Sequence, residues 1–285
     1  MNMSLLRLSQ QATLFSVLLV FGMSASHAEV TPSALATLES QSPIDFRSDS
    51  TYFGRLPALS FNLSSDTPLD VINNGSPDPE KTAVRANVNS GAGSLTLSGH
   101  EWDLAQFHFH TPSEHLLNGQ ASPMEMHLVF SDSNDNLLVV GRWVEAGAFN
   151  SDLDPIFSNV PQNTSETLHI DHFNLNTLIP ASLESFRYSG SLTTPQFDEG
   201  VSWVMLSEPL SMSSEQINAF SSLFPEGDAR EVQDLNGRIV LTDVPGFVTA
   251  VPEPETYAMM LAGLGLIATI ARRRRLKTND AILPI

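Results

Sequence analysis

The chain has 285 residues, a formal net charge of −18 at neutral pH and no cysteine. That length can bury a substantial core without covalent staples, and the missing thiols exclude disulfides, iron–sulfur clusters, thiolate zinc sites and cysteine nucleophiles. The acidic balance argues against nucleic acid and anionic lipid as partners.

In chain order, residues 1–28 read as a secretory signal peptide. Arg7 supplies a positive start, Ala12 to Met23 an apolar core, and Ser26-His27-Ala28 the cleavage region. The apolar core is too short to span a bilayer. Residues 29–250 then form one domain, with no internal repeat and no Gly/Ser-rich linker. The segment Glu29 to Val251 holds eight basic against 29 acidic residues, a charge of −21.

Strands are predicted over Leu69 to Asn73, Ala83 to Asn89, Ser94 to Ser98, Glu101 to His110, Met124 to Asp132, Leu137 to Glu145 and Val201 to Leu206. Turn chemistry separates them at Asn73-Asn74-Gly75-Ser76-Pro77 and at Ser133-Asn134-Asp135-Asn136, the latter short enough for a hairpin. Two modest helices are expected. One covers about Asp152 to Val160. The other starts at Ser213, has Gln216 in a capping box and buries Ile217, Phe220 and Phe224.

The most informative residues run from Gln106 to His115 and from Met124 to Val129. On a strand, side chains alternate faces, so His108 and His110 point the same way. Glu125, His127 and Val129 share a face by the same rule. An antiparallel pairing of the two runs brings His127 beside the first pair. Three imidazoles on two rigid strands suit a tetrahedral metal with one position open, the pattern of a catalytic zinc site. Gln106 and Glu125, each two residues before a histidine and on its face, can take the ring N–H opposite the metal. A lone His-x-His is more often a core feature, and it is these partners that raise the pattern above that.

At the far end, Val251-Pro252-Glu253-Pro254-Glu255-Thr256 leads into an apolar stretch, Tyr257 to Ala271, and then Arg272 to Arg275. Residues 251–285 resemble the PEP-CTERM sorting signal of Gram-negative bacteria. The resemblance implies a short transmembrane helix as a transient membrane anchor, arginines on the cytoplasmic side and processing by an exosortase. It places the mature protein in the periplasm, at the cell surface or in the extracellular matrix.

Longer motifs run through the domain. Gln41-Ser42-Pro43-Ile44-Asp45, the two histidine runs, Gly190-Ser191-Leu192-Thr193-Thr194-Pro195, Trp203, Ser213-Ser214-Glu215-Gln216 and Gln233 to Arg238 together resemble the α-class carbonic anhydrases. The resemblance implies a mostly β fold, a large, twisted, mainly antiparallel central sheet with a few short peripheral helices. It implies Zn2+ held by His108, His110 and His127, and reversible hydration of CO2 to bicarbonate and a proton by zinc-bound hydroxide. Thr193 and Glu114 match the pair that orients the nucleophile, because a carboxylate only accepts and therefore takes the threonine proton. Val129, Val139, Leu192 and Trp203 match the apolar wall for CO2, and Thr194 a bicarbonate contact.

There are departures. A proton-shuttling histidine is expected after Asn73-Asn74-Gly75, where this chain has Ser76, which cannot titrate near neutral pH. Weakened internal shuttling follows, with His100 as a substitute of unknown place. Many exported bacterial members carry a disulfide whose partners would fall at Glu39 or Ser40 and at Phe197; both cysteines are missing. Residues Glu29 to Ser40 also lack the usual Trp- and His-containing start. Two other readings stay open. A cupin would use His108-x-His110 with Glu114 as ligands for iron or manganese. A non-catalytic relative would keep the fold as a surface or matrix binding module.

Overall fold

Period-two alternation organises the molecule. In the computed structural model, the strand Met124–Ser131 buries Met124, Met126, Leu128 and Phe130 in the main apolar core and turns Glu125, His127 and Val129 to the other face. The described residues are 39–75, 84–248, 261, 262, 264 and 267. The expected signal peptide 1–28, Ser76 and most of the tail lie outside them.

The strands are β1 (Asp45–Phe46), β2 (Thr51–Phe53), β3 (Leu59–Leu63), β4 (Thr67–Asn73), β5 (Val84–Val88), β6 (Gly93–Leu97) and β7 (His100–His110). They continue as β8 (Leu116–Leu117), β9 (Met124–Ser131), β10 (Leu137–Ala146), β11 (Thr167–Phe173), β12 (Ser185–Ser191), β13 (Glu199–Met212) and β14 (Val240–Thr242). Twelve of them form one sheet whose spine runs β11-β4-β5-β7-β9-β10-β13-β12-β14-β2, with β6 paired to β7 and β3 to β6. Most pairings are antiparallel, as expected. The parallel exceptions in this sheet are β10 with β13, in its middle, and β14 with β2, at its edge. Parallel neighbours need a long crossover, and the chain between β10 and β13 supplies one carrying β11 and β12.

The hairpin expected at residues 131–136 is present, joining β9 to β10 with Leu137 opposite Ser131. The strand expected over Val201 to Leu206 is longer, filling Glu199–Met212. The helix expected over Asp152 to Val160 shrinks to α1 (Asp154–Phe157). Pro161 accounts only for Val160, the residue before it; the helix has already closed at its C-cap Ser158. The second helix, α2 (Ser214–Ser221), has the reciprocal Ser213–Gln216 capping box and buries Ile217 and Phe220. Phe224 falls beyond its end, yet its ring still packs 5.1 Å from that of Phe220.

Two apolar clusters sit on the two faces of the sheet. The larger gathers Phe107, Phe109, Leu128, Phe130, Val140 and Leu206 with the helices, and the smaller gathers Ile44, Phe46, Val139, Trp143, Tyr188 and Trp203. The histidines project from the side of the smaller cluster. Where sequence suggested a lost disulfide, other contacts hold the N-terminal segment. Ser40 N–H donates to Glu199 Oε1 at 2.6 Å, and Gln41 Nε2 donates to Phe197 O at 3.2 Å. The Arg230 guanidinium lies 3.6 Å above the Phe197 ring.

No helix among the described residues is long and apolar enough to cross a membrane. The stretch expected to form the short membrane helix is almost wholly outside them. Its described members, Leu261, Ala262, Leu264 and Ile267, are helical and exposed.

Candidate active site

Strand register builds the site in two cross-strand rows. One row runs His108, His127, Gly141, Met205 across β7, β9, β10 and β13. The next runs Gln106, Val129, Val139, Trp203, Tyr188 and extends onto β12. The first row and His110 carry polar chemistry, and the second supplies an apolar wall beside it.

Nitrogen atoms of His108, His110 and His127 lie within 4.8 Å of one another. Their other ring atoms set the tautomers. His108 Nδ1 is 2.8 Å from Gln106 Oε1, an acceptor, so Nδ1 carries the proton and Nε2 keeps its lone pair. His127 Nε2 is 2.6 Å from Glu125 Oε1, which leaves the Nδ1 lone pair free. These two free nitrogens face each other at 3.3 Å. His110, on the same face, has neither nitrogen hydrogen-bonded, although it is 1% exposed. Its Nε2 stands 3.6 Å from Glu114 Oε2 and its Nδ1 3.6 Å from Asp228 Oδ2. Unpartnered buried polar atoms of this kind are rare, and here they ring one centre. The donor set fits a small divalent cation: three imidazoles, with Glu114, Glu125 and Asp228 close behind.

Electrostatics point the same way. Burial opposes a charge on His110, but Glu114, Asp228 and Glu125 together outweigh it and raise its pKa to about 9. Burial, then His110, His127 and Arg85, hold the pKa of His108 well below its usual value. Burial also lowers that of His127, against the pull of Glu125. In the metal-free protein the pocket therefore favours one positive charge, on His110, and a metal that took His110 as a ligand would have to displace that proton. Metal affinity is expected to rise about tenfold per pH unit between roughly 7 and 9 and then level off, as competition with a chelator will measure. The raised pKa has the opposite consequence for the metal-free fold. His110 contributes stability that is full below about 6.5, its unfolded value, and is lost as pH rises through about 9.

The remaining predicted residues fall as follows. Val129, Val139, Leu192, Thr193, Thr194 and Trp203 all line one cleft of about 120 Å³, together with Gln106, His108 and His127. Trp203 stands edge-on to His127 with ring centroids 5.0 Å apart, and its Nε1 donates to Ser191 O at 2.9 Å. Glu114 lies beneath, 2% exposed. Its Oε1 accepts from Arg230 N–H at 3.0 Å, and Oε2 has no hydrogen-bond partner. No hydrogen bond joins Thr193 to Glu114 among the described contacts. His100 does not reach the cleft. It stands at the opposite end of β7, ~26 Å from His108 along the strand, and pairs with Asp132 at 2.9 Å.

Several residues escaped the sequence reading. His115 continues the chain of partners behind His127: its Nδ1 is 2.6 Å from Glu125 Oε1 and its Nε2 2.6 Å from Tyr188 Oη, which donates to Ser42 Oγ at 2.8 Å. His115, Glu125 and His127 also sit close enough to suggest a second metal group. Their facing atoms are already joined by two hydrogen bonds of 2.6 Å, so they serve as support for the first. Asp228 carried no sequence signal. It accepts the Thr111 N–H at 2.7 Å and returns its own N–H to Thr111 O at 2.9 Å. Gly227 makes this possible: it has φ +79°, and a Cβ there would lie 2.9 Å from Thr111 O. Replacing Asp228 by Asn is expected to weaken metal affinity 10–100-fold in competition with a chelator, with thermal unfolding checking that the fold is kept.

A mostly β protein with a buried three-histidine centre under an apolar-walled cleft is the class that these features define. Residues 26–244 match the eukaryotic-type carbonic anhydrase family, and residues 250–275 match the PEP-CTERM protein-sorting motif. The chain belongs to the eukaryotic-type (α) carbonic anhydrases, enzymes of CO2 hydration. A carbonic anhydrase of Klebsiella pneumoniae is 38% identical over 202 residues, covering 70% of this chain and 79% of its own. One from Neisseria gonorrhoeae is 35% identical, covering 72% and 78%. The solved α-carbonic anhydrase of Thermovibrio ammonificans, in complex with the inhibitor sulfanilamide, has a TM-score of 0.65 at 34% identity, covering 71% of this chain and 86% of that one. Family membership overturns the cupin alternative.

Proposed function

We propose that this chain is an exported zinc carbonic anhydrase that interconverts CO2 with bicarbonate and a proton. One observation carries the reading: the lone pairs of His108 Nε2 and His127 Nδ1 converge with His110 on one centre, each tautomer set from behind by Gln106 or Glu125. Zn2+ at that centre, held by His108, His110 and His127, supplies a Lewis acid that makes water a nucleophile near neutral pH.

The chain's own residues do the rest. Glu114 Oε2 is a buried acceptor, so it takes the Thr193 hydroxyl proton and obliges the Thr193 oxygen to accept from the nucleophile. That turns the nucleophile's free lone pair toward the substrate. Val129, Val139, Leu192 and Trp203 hold CO2 by apolar contact, and Thr194 contacts bicarbonate. With Ser76 after the Asn-Asn-Gly turn and His100 far from the cleft, protons leave by way of external buffer. Residues 1–28 direct export, residues 29–250 form the enzyme, and residues 251–285 anchor it transiently to the membrane until an exosortase processes the tail. The destination is the periplasm, cell surface or extracellular matrix of a Gram-negative bacterium.

Zinc content and stopped-flow CO2 hydration of the purified protein, across a series of buffer concentrations, test the reading. One equivalent of zinc and a rate that climbs with buffer support it. Bound zinc without activity would leave a binding module, and absence of zinc would sink the histidine assignment.

A further inference from the structure

The histidine row of the sheet does not begin at His108. On the flanking strand β5, Arg85 is the direct cross-strand partner of His108 and so projects from the same face. Its side chain lines the cleft together with Asn74 and Thr194. Sheet order places it on the far side of the histidines from the Thr193-Thr194 loop, which follows β12.

The other arginines of the domain's interior surfaces have oxygen partners. Arg142 donates to three backbone carbonyls, Arg187 to Pro57 O, Arg230 to Ser42 O and Arg238 to Ser189 O. Arg85 has none among the described residues. Its Nε is buried without a hydrogen-bond partner, and no described carboxylate forms an ion pair with it. In a segment with 29 acidic and eight basic residues, a cation held apart from every described carboxylate, inside the catalytic cleft, is poised for an anion that arrives from outside.

We propose that Arg85 forms an anion subsite in the cleft, which binds bicarbonate and competing small inorganic anions beside the histidine centre. The inference rests on the cleft being the CO2/bicarbonate site. The planar guanidinium matches the two-oxygen edge of bicarbonate, so it suits an anion. Neutral CO2 gains nothing from it. The subsite therefore acts on one side of the reaction: it strengthens capture of bicarbonate, slows its exit, and makes the enzyme sensitive to inorganic anions.

Two readouts test this in the full-length protein with Arg85→Gln and Arg85→Lys. In the first, the cobalt-loaded protein is titrated with bicarbonate and with thiocyanate, following the visible spectrum. Arg85→Gln is expected to weaken both about tenfold, the value of a hydrogen bond to a charged partner, and to raise the KM for bicarbonate relative to that for CO2. Arg85→Lys, which keeps the charge but not the fork, should fall between. In the second, chloride NMR linewidths of the metal-free protein report a bound anion without any metal. Bicarbonate should abolish the excess broadening, and Arg85→Gln should lack it. Equal anion constants and equal linewidths in wild type and Arg85→Gln would overturn the proposal. Failure to take up cobalt would instead count against the histidine centre, and the chloride experiment would still decide Arg85.

Discussion

Replacing His108 by alanine is expected to abolish stoichiometric zinc and to cut CO2 hydration by more than the 10–100-fold typical of losing a mere supporting group. The fold should survive. His108 is half-buried, and its other partner is the uncharged Gln106, so truncation strands no buried ion. His127 offers the contrast. It is 1% exposed, and removing it leaves the fully buried Glu125 carboxylate with His115 as its remaining imidazole partner. Loss of a hydrogen bond to a charged group costs about 1.5–3 kcal/mol, or several degrees of Tm in a domain of this size. Metal content by elemental analysis and unfolding of the metal-free variants separate the two outcomes. If His108→Ala retained zinc, the three-histidine centre would be wrong.

The second large effect concerns Thr193. Thr193→Ala should lower kcat/KM on the order of 10²-fold, the usual cost of one aligned hydrogen-bonding group at a reacting atom, with zinc content unchanged. Glu114→Gln should produce a similar loss, because an amide can donate and so no longer dictates the direction of the Thr193 hydroxyl. Since both act through one hydrogen bond, the double variant should be little worse than either single one. Stopped-flow rates of the three variants check this, and additive losses would separate the two residues. The hydrogen bond itself is not formed in the present structure, where Glu114 Oε2 stands free.

Local pattern explains what was legible in the sequence. The histidine strands announce themselves by alternation, and the same alternation places Gln106 and Glu125 behind them, so the inner site could be read from two short runs. The helix at Ser213 was legible for a similar reason, a capping box followed by apolar residues at helical spacing. Strands such as β12, Ser-Phe-Arg-Tyr-Ser-Gly-Ser, carry weak intrinsic preference and exist because β13 and β14 pair with them on either side. Asp228 lies 118 residues after His110, and nothing in Gly227-Asp228-Ala229 marks a supporting carboxylate. Arg85 was invisible for another reason. Its meaning comes from register with His108, and register is a tertiary fact.

The alternation along β7, β9, β10 and β13 makes the sheet a partition between two kinds of selection. One set of side chains, including Phe107, Phe109, Leu128 and Phe130, answers only to packing; its complement, one residue away along the same strands, answers to chemistry. Drift on the packing side can tune thermal tolerance while the catalytic side keeps its geometry, and the reverse holds for drift in the cleft wall. An insertion or deletion of one residue within these strands enjoys no such freedom. Unless a bulge absorbs it, as one does in β7 between Leu104 and Gln106, it would exchange the two sets at a stroke.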